Sequence, residues 1–182
     1  MKKLIKTIIF ILIIIVAIKQ VPNAMKKLYP LKYSDIVYKY SKEYDIDPYI
    51  VFSVIKAESN FKPKAVSHKS AYGLMQVTPS TGEWIAEQME MENFTLDKLF
   101  EPEYNISMGC WYIDNLRKEF GDNMDVVLAA YNAGRGNVQK WLQDSEHSKD
   151  SKNLHYIPFK ETDKYVKKVK VNYKIYKFLY DK

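Results

Sequence analysis

Glu58 closes an apolar stretch of the chain, and Ser59 follows it directly. Ile50, Val51, Phe52, Val54, Ile55 and Ala57 make a helix over residues 49–58 apolar on most sides, so it belongs in the middle of a domain. A carboxyl at the C-terminal end of such a helix is costly to ionise. Burial strips its water, and the helix dipole is negative there. Such a group holds a proton near neutrality and can serve as a general acid, as in the protonation of a glycosidic oxygen. Taken alone, however, a glutamate here reads more simply as an ion-pair partner for Lys62 at i+4.

Three more segments carry groups of the same kind. In Gly73-Leu74-Met75-Gln76 the glycine permits a positive φ or a close backbone approach, and the glutamine amide both donates and accepts. By itself the tetrapeptide is equally a turn followed by a core methionine. Ala130-Tyr131-Asn132 ends a helix before Gly134, where a tyrosine is most simply core. Ile157-Pro158-Phe159-Lys160-Glu161-Thr162 leads into Tyr165-Val166, where Glu161 reads most simply as an acid in a first helical turn.

The elements that must position these groups are helical. Ile36, Val37, Tyr40 and Tyr44 recur at three- and four-residue steps, the period of an amphipathic helix. Asp47-Pro48 provides an N-cap and first residue for the central helix. Residues 60–73, broken by Pro63, Ser67, Ser70 and Gly73, form a loop. Thr78-Pro79 opens a helix to about residue 89. A longer one spans residues 105–120 and stops at Gly121. The next begins at Asp122 or Asn123 and ends at Gly134-Arg135-Gly136. Residues 143–153 read as a polar surface loop, and residues 161–180 as a final helix rich in lysine. No run of strands and no internal repeat is evident, so the fold class is mainly α.

Composition narrows the function. The first 27 residues contain six lysines and no acid, which accounts for the whole net charge of +6. Residues 28–182 are neutral, an unlikely balance for a nucleic-acid-binding domain. The eight lysines against three acids in residues 160–182 suggest attraction to an anionic wall or lipid. Cys110 is the only cysteine, so no internal disulfide forms, and it reads as a buried thiol. His68, His147 and His155 share no ligand or triad spacing, and no metal or cofactor is implied. Residues 4–21 make a helix of about 27 Å, which barely spans a hydrocarbon core of about 30 Å with Lys6 and Lys19 reaching outward. An uncleaved anchor and a cleaved signal peptide both remain open. Either one exports the rest of the chain. The expected organisation is residues 1–27 as anchor or signal with linker, and residues 28–182 as one domain.

In this order, Glu58-Ser59, Gly73-Leu74-Met75-Gln76, Ala130-Tyr131-Asn132 and the Ile157–Val166 segment resemble the catalytic domain of the bacterial soluble-type (SLT) lytic transglycosylases. These are lysozyme-like enzymes that cut the glycan strands of peptidoglycan. The resemblance runs from about residue 33 to residue 180, and Val77-Thr78-Pro79 is a mild departure from the family pattern. It implies a goose-type-like helical domain around the central helix, with Glu58 as acid and base. It places Ser59, Gly73, Met75, Gln76, Tyr131, Asn132, Glu161 and Tyr165 along the substrate cleft. The implied reaction cleaves the bond between N-acetylmuramic acid and N-acetylglucosamine and leaves a 1,6-anhydromuramyl end. The alternatives are a goose-type-like muramidase that uses water, and a catalytically silent peptidoglycan-binding or scaffold module.

Overall fold

The computed structural model describes residue 7 and residues 20–181. The apolar segment at residues 4–21 therefore lies almost wholly outside the described residues. Among these, no helix is long and apolar enough to cross a membrane.

Residues 20–28 are helical. There follow α1 (Ser34–Glu43), α2 (Pro48–Glu58), α3 (Pro79–Gln88), a 3-10 turn (Leu96–Phe100), α4 (Pro102–Phe120), α5 (Met124–Ala133), α6 (Arg135–Gln143) and α7 (Lys160–Tyr180). The domain is mainly helical, as expected. The extended pairing among the described residues is limited to two isolated bridges, Val66 with Tyr72 and Tyr72 with Val77.

Local chemistry sets the helix starts. Asp47 accepts a hydrogen bond from the Tyr49 amide at 2.8 Å, and Pro48 takes the first turn of α2. Thr78 caps α3 in the same way through the Thr81 amide, and Asn123 caps α5 through Asp125. The helix expected over 105–120 begins earlier, because Pro102 fills its first turn. The chain does not become a loop after Gly134. Gly134, at φ 87°, turns it directly into α6, which buries Val138, Trp141 and Leu142.

Two apolar clusters result. The larger surrounds α2, whose residues Ile50 through Ile55 are all buried and whose main packing partner is α7. The smaller gathers Val77, Ile85, Ala86, Leu99 and Met108, with Trp84, Trp111 and Tyr112 at its edge. Helix α4 serves both, giving Ile106 and Cys110 to the first and Met108 to the second. Cys110 is fully buried, and burial pushes its thiol up, far from any reactive range.

The two ends of the domain meet. The Tyr180 hydroxyl donates to the Tyr29 carbonyl at 2.8 Å and the Tyr176 hydroxyl to the Pro30 carbonyl at 3.3 Å. The lysines of α7 are largely engaged within the domain. Lys167, Lys170 and Lys177 lie beside Asp163, Asp125 and Asp47, and Lys168 donates to the Ala57 carbonyl at 2.6 Å.

Candidate active site

Glu58 is the last residue of α2 and is only partly exposed. Loss of water pushes its pKa up to about 7, and the Glu161 charge pushes the same way. The Tyr165 hydroxyl and the Lys168 ammonium oppose them. Tyr165 is buried, and its hydroxyl has no well-formed hydrogen bond. It lies close enough to the Glu58 carboxyl to favour the charged form, without the alignment of a full bond. Burial and the neighbouring Glu58 charge both push the Tyr165 phenol up, so it stays protonated as a donor.

The end of α2 is fastened to the Gly73–Gln76 segment. The Ser59 hydroxyl donates to the Leu74 carbonyl at 2.8 Å, and it also reaches the Ile55 carbonyl at 3.2 Å. Tyr131, from α5, donates to the Met75 carbonyl at 2.7 Å. Its phenol is pushed well up by burial and by the Glu58 charge, which places Tyr131 beside the acid. Three segments far apart in the chain thus converge on one carboxyl.

Asn105 of α4 holds the segment from behind, and nothing in the sequence marks it. Fully buried, it accepts from the Met75 amide at 2.7 Å and donates to the Tyr72 and Leu99 carbonyls at 2.9 and 2.8 Å. The Met75 amide and the Leu99 carbonyl would otherwise be unpaired in the interior, while the Tyr72 carbonyl also accepts from the Val77 amide at 3.0 Å. Gly73, at φ 77°, passes so close to this arrangement that a Cβ would collide with the Leu99 carbonyl oxygen and the Asn105 amide. Glycine is required there both by conformation and by space.

The other expected residues fall into distinct places. Met75 has no exposed surface, and a Cβ at Gly109 would strike its sulfur. Its side chain is therefore core, a correction to its expected place along the cleft, and its backbone is taken up by Asn105 and Tyr131. Gln76, at φ 51°, donates from its amide to the Gly73 and Ala65 carbonyls at 2.9 and 3.3 Å. It also lines a groove of about 180 Å³ with Thr78, Tyr112, Tyr131 and Asn132. The Asn132 oxygen accepts from Thr162 at 2.9 Å, joining α5 to α7. Glu161 is exposed, 2.8 Å from Lys69, which lowers its pKa. The site thus offers one carboxyl that holds its proton near neutrality and another that is ionised and open to solvent. Among the described residues no group of His, Cys, Asp or Glu could hold a metal.

The pattern of the transglycosylase SLT domain matches residues 35–154. The soluble lytic murein transglycosylase of Salmonella typhimurium is 35% identical over 147 residues, covering 80% of this chain and 23% of that protein. The fold is similar to that of the 70 kDa soluble lytic transglycosylase from Escherichia coli. There the TM-score is 0.75, with 31% identity over 84% of this chain and 25% of that one. It is similar too to an inactive mutant of the lytic transglycosylase Slt from Pseudomonas aeruginosa. That match has a TM-score of 0.75 and 28% identity over 85% of this chain and 25% of that one. The chain spans about a quarter of the length of these relatives. The family pattern reaches from α1 through α6 and so contains Glu58, Ser59, the Gly73–Gln76 wall and Tyr131, the groups gathered about the acid. By sequence match and by fold, this chain belongs to the transglycosylase SLT domain family.

Proposed function

We propose that this chain is a peptidoglycan lytic transglycosylase with Glu58 as its acid and base. The observation that carries the reading is the Glu58 carboxyl, pushed up to about 7 by burial and faced by Tyr131 and Tyr165. At neutral pH a large share of such carboxyls is protonated, as proton delivery to a leaving oxygen requires. Retaining glycosidases place a second carboxylate about 5–5.5 Å from the acid. The nearest candidate by its effect on Glu58, Glu161, is exposed and paired with Lys69. The reaction is then completed by the substrate. Glu58 protonates the glycosidic oxygen between N-acetylmuramic acid and N-acetylglucosamine, and the muramyl 2-acetamido group stabilises C1 as the bond breaks. The Glu58 carboxylate takes the proton from the C6 hydroxyl of the same sugar, and that oxygen attacks C1. A 1,6-anhydromuramyl end forms, no water is consumed, and Glu58 regains its proton.

Gln76 and Asn132 line the groove as partners for acetamido and hydroxyl groups, and Glu161, whose charge reaches Glu58, has a supporting role beside the substrate. Ser59, Gly73 and the Met75 backbone hold the wall in place. We also infer that residues 4–21 export the domain and tether it to the membrane. The support is the length and apolar character of that segment in the sequence. Protein recovered with membranes after an alkaline wash would agree with the tether, and a chain starting near residue 25 would replace it with a cleaved signal.

The deciding experiment is mass spectrometry of purified peptidoglycan digested by the full chain, beside a Glu58→Gln control. Anhydromuramyl products absent from the control are expected. Reducing ends would make the chain a muramidase, and intact glycan carrying bound protein would make it a binding module.

A further inference from the structure

Helix α7 presents one outer face of a single charge sign. An α-helix turns about 100° per residue, so Lys164, Lys167, Lys168, Val171, Lys174 and Phe178 share about one third of its circumference. All six are exposed, Val171 by 55% and Phe178 by 71%. The acids Glu161 and Asp163 lie outside this arc. The lysines of α7 that make ion pairs are Lys167, Lys170 and Lys177. Lys164 and Lys174 are thus left without a carboxylate among the described residues.

The same face borders the N-terminal end of the domain. A hollow of about 520 Å³ lies there, walled by Tyr29, Lys56, Lys164, Lys167, Lys168 and Val171, and no carboxylate lines it. Lys167 reaches Asp163 at 2.7 Å. Lys56 meets only neutral oxygens, the Leu28 carbonyl at 2.7 Å and Asn60 at 2.6 Å, and Lys168 meets the Ala57 carbonyl. Burial and the Lys168 charge push the Lys56 ammonium down, a sign of positive charge gathered without an anion. Leu28, 64% exposed, ends the helical stretch at residues 20–28. That stretch continues the apolar segment at residues 4–21.

A lysine-rich outer face is most simply a solvated one. Solvation accounts for the lysines, but not for two bare apolar side chains set two turns apart among them, beside a hollow of one charge sign. We propose that this face of α7, with Lys56, seats on an anionic phospholipid surface. Val171 and Phe178 enter the boundary between headgroups and acyl chains, and the lysine stems lie along it with their ammonium groups on lipid phosphates. Each lysine near such a surface strengthens the attraction about fivefold. A phosphate polymer in solution would meet the lysines and leave the apolar side chains in water, whereas a lipid surface takes both. In part the proposal rests on the reading of residues 4–21 as a tether, while the charge and the exposed side chains stand on their own. The Lys168 charge also reaches Glu58, so a seated domain holds its acid near the bilayer.

The test uses the full chain with an environment-sensitive fluorophore attached through Val171→Cys. Cys110 is fully buried, so the label goes to the new thiol. A control probe is attached through Glu92→Cys, in the loop after α3, a helix that packs on α4 and the 3-10 turn. With vesicles of phosphatidylcholine and phosphatidylglycerol in equal parts, the Val171→Cys probe should brighten and shift to the blue. Vesicles of phosphatidylcholine alone should leave it unchanged, and the Glu92→Cys probe should stay constant in both. Adding Lys164→Glu and Lys174→Glu should abolish the response while the chain still sediments with the vesicles. A Val171→Cys probe that reads the same in both lipids, while the chain sediments with them, would overturn the seat. So would a response shared by the Glu92→Cys probe or kept after the lysine reversals. The same response to soluble poly(glycerol phosphate), without vesicles, would assign the face to a wall polymer and overturn the lipid seat. A chain that fails to sediment with phosphatidylcholine yet responds to the anionic vesicles keeps this face and loses the tether. One that sediments with neither loses both.

Discussion

The Ser59 hydroxyl, one residue beyond the acid, donates a 2.8 Å hydrogen bond to the Leu74 carbonyl fifteen residues later. It pins the end of α2 to the wall that Tyr131 also grips through the Met75 carbonyl. Ser59→Ala leaves that buried carbonyl without its partner, which costs about 1–3 kcal/mol. Thermal unfolding should show this loss. Turnover on peptidoglycan should fall as well, because the acid and its wall no longer share a fixed spacing. A variant with normal activity would mean that Ser59 serves stability alone.

The neighbours of Glu58 push its proton affinity in opposite directions, and the two pushes can be separated. Lys168 lowers its pKa and Glu161 raises it. Activity that needs the protonated acid should decline as pH rises through about 7. Lys168→Gln should move that decline to higher pH, and Glu161→Gln to lower pH. Shifts of the same sign in both variants would contradict the electrostatic account.

Glu58 also links folding to pH. Its pKa rises from 4.5 to about 7 on folding, so within that window the folded chain holds a proton that the unfolded chain has released. Stability therefore falls as pH rises across the window and levels off above it, by at most about 3 kcal/mol. Glu58→Gln should abolish activity and remove this fall, so the variant gains on the unaltered chain as pH rises. Denaturant titrations at several pH values measure the difference directly.

Asn105 should be the most sensitive polar position in the interior. Asn105→Ala strands the Met75 amide and the Leu99 carbonyl and leaves the Tyr72 carbonyl with the Val77 amide alone, a loss on the order of 3–5 kcal/mol. Amide exchange at Met75 should accelerate more than exchange within α2. Equal acceleration everywhere would point to global loosening instead.

Gly109→Ala drives a methyl into the Met75 sulfur and should cost about 1–3 kcal/mol through overpacking. Met75→Ala creates a cavity in its own right, but combining the two should cost less than their sum. Additive losses would mean that the contact carries no energy.

Much of the helical frame was legible from the chain. The apolar run of α2 and the pairs Asp47-Pro48 and Thr78-Pro79 each act locally, through caps and periodicity that need no tertiary context. Helix α6 was missed because Gly134-Arg135-Gly136 reads as a stop, although Val138, Trp141 and Leu142 keep a helical spacing. Met75 was misplaced because its burial depends on Gly109, a residue that only the fold brings against it. Asn105 gave no signal for the same reason, since its three partners lie on segments that meet only after folding.

The contact between Tyr29 and Tyr180 has a mechanical consequence. Any polypeptide attached before residue 29 or after residue 180 departs from one side of the domain, as if from a single hub. A pull on either end is transmitted through the same small patch, where the Tyr176 and Tyr180 hydroxyls clasp consecutive carbonyls. A tether at either end would therefore hold the domain at one point, and the direction in which its groove faces would be set there.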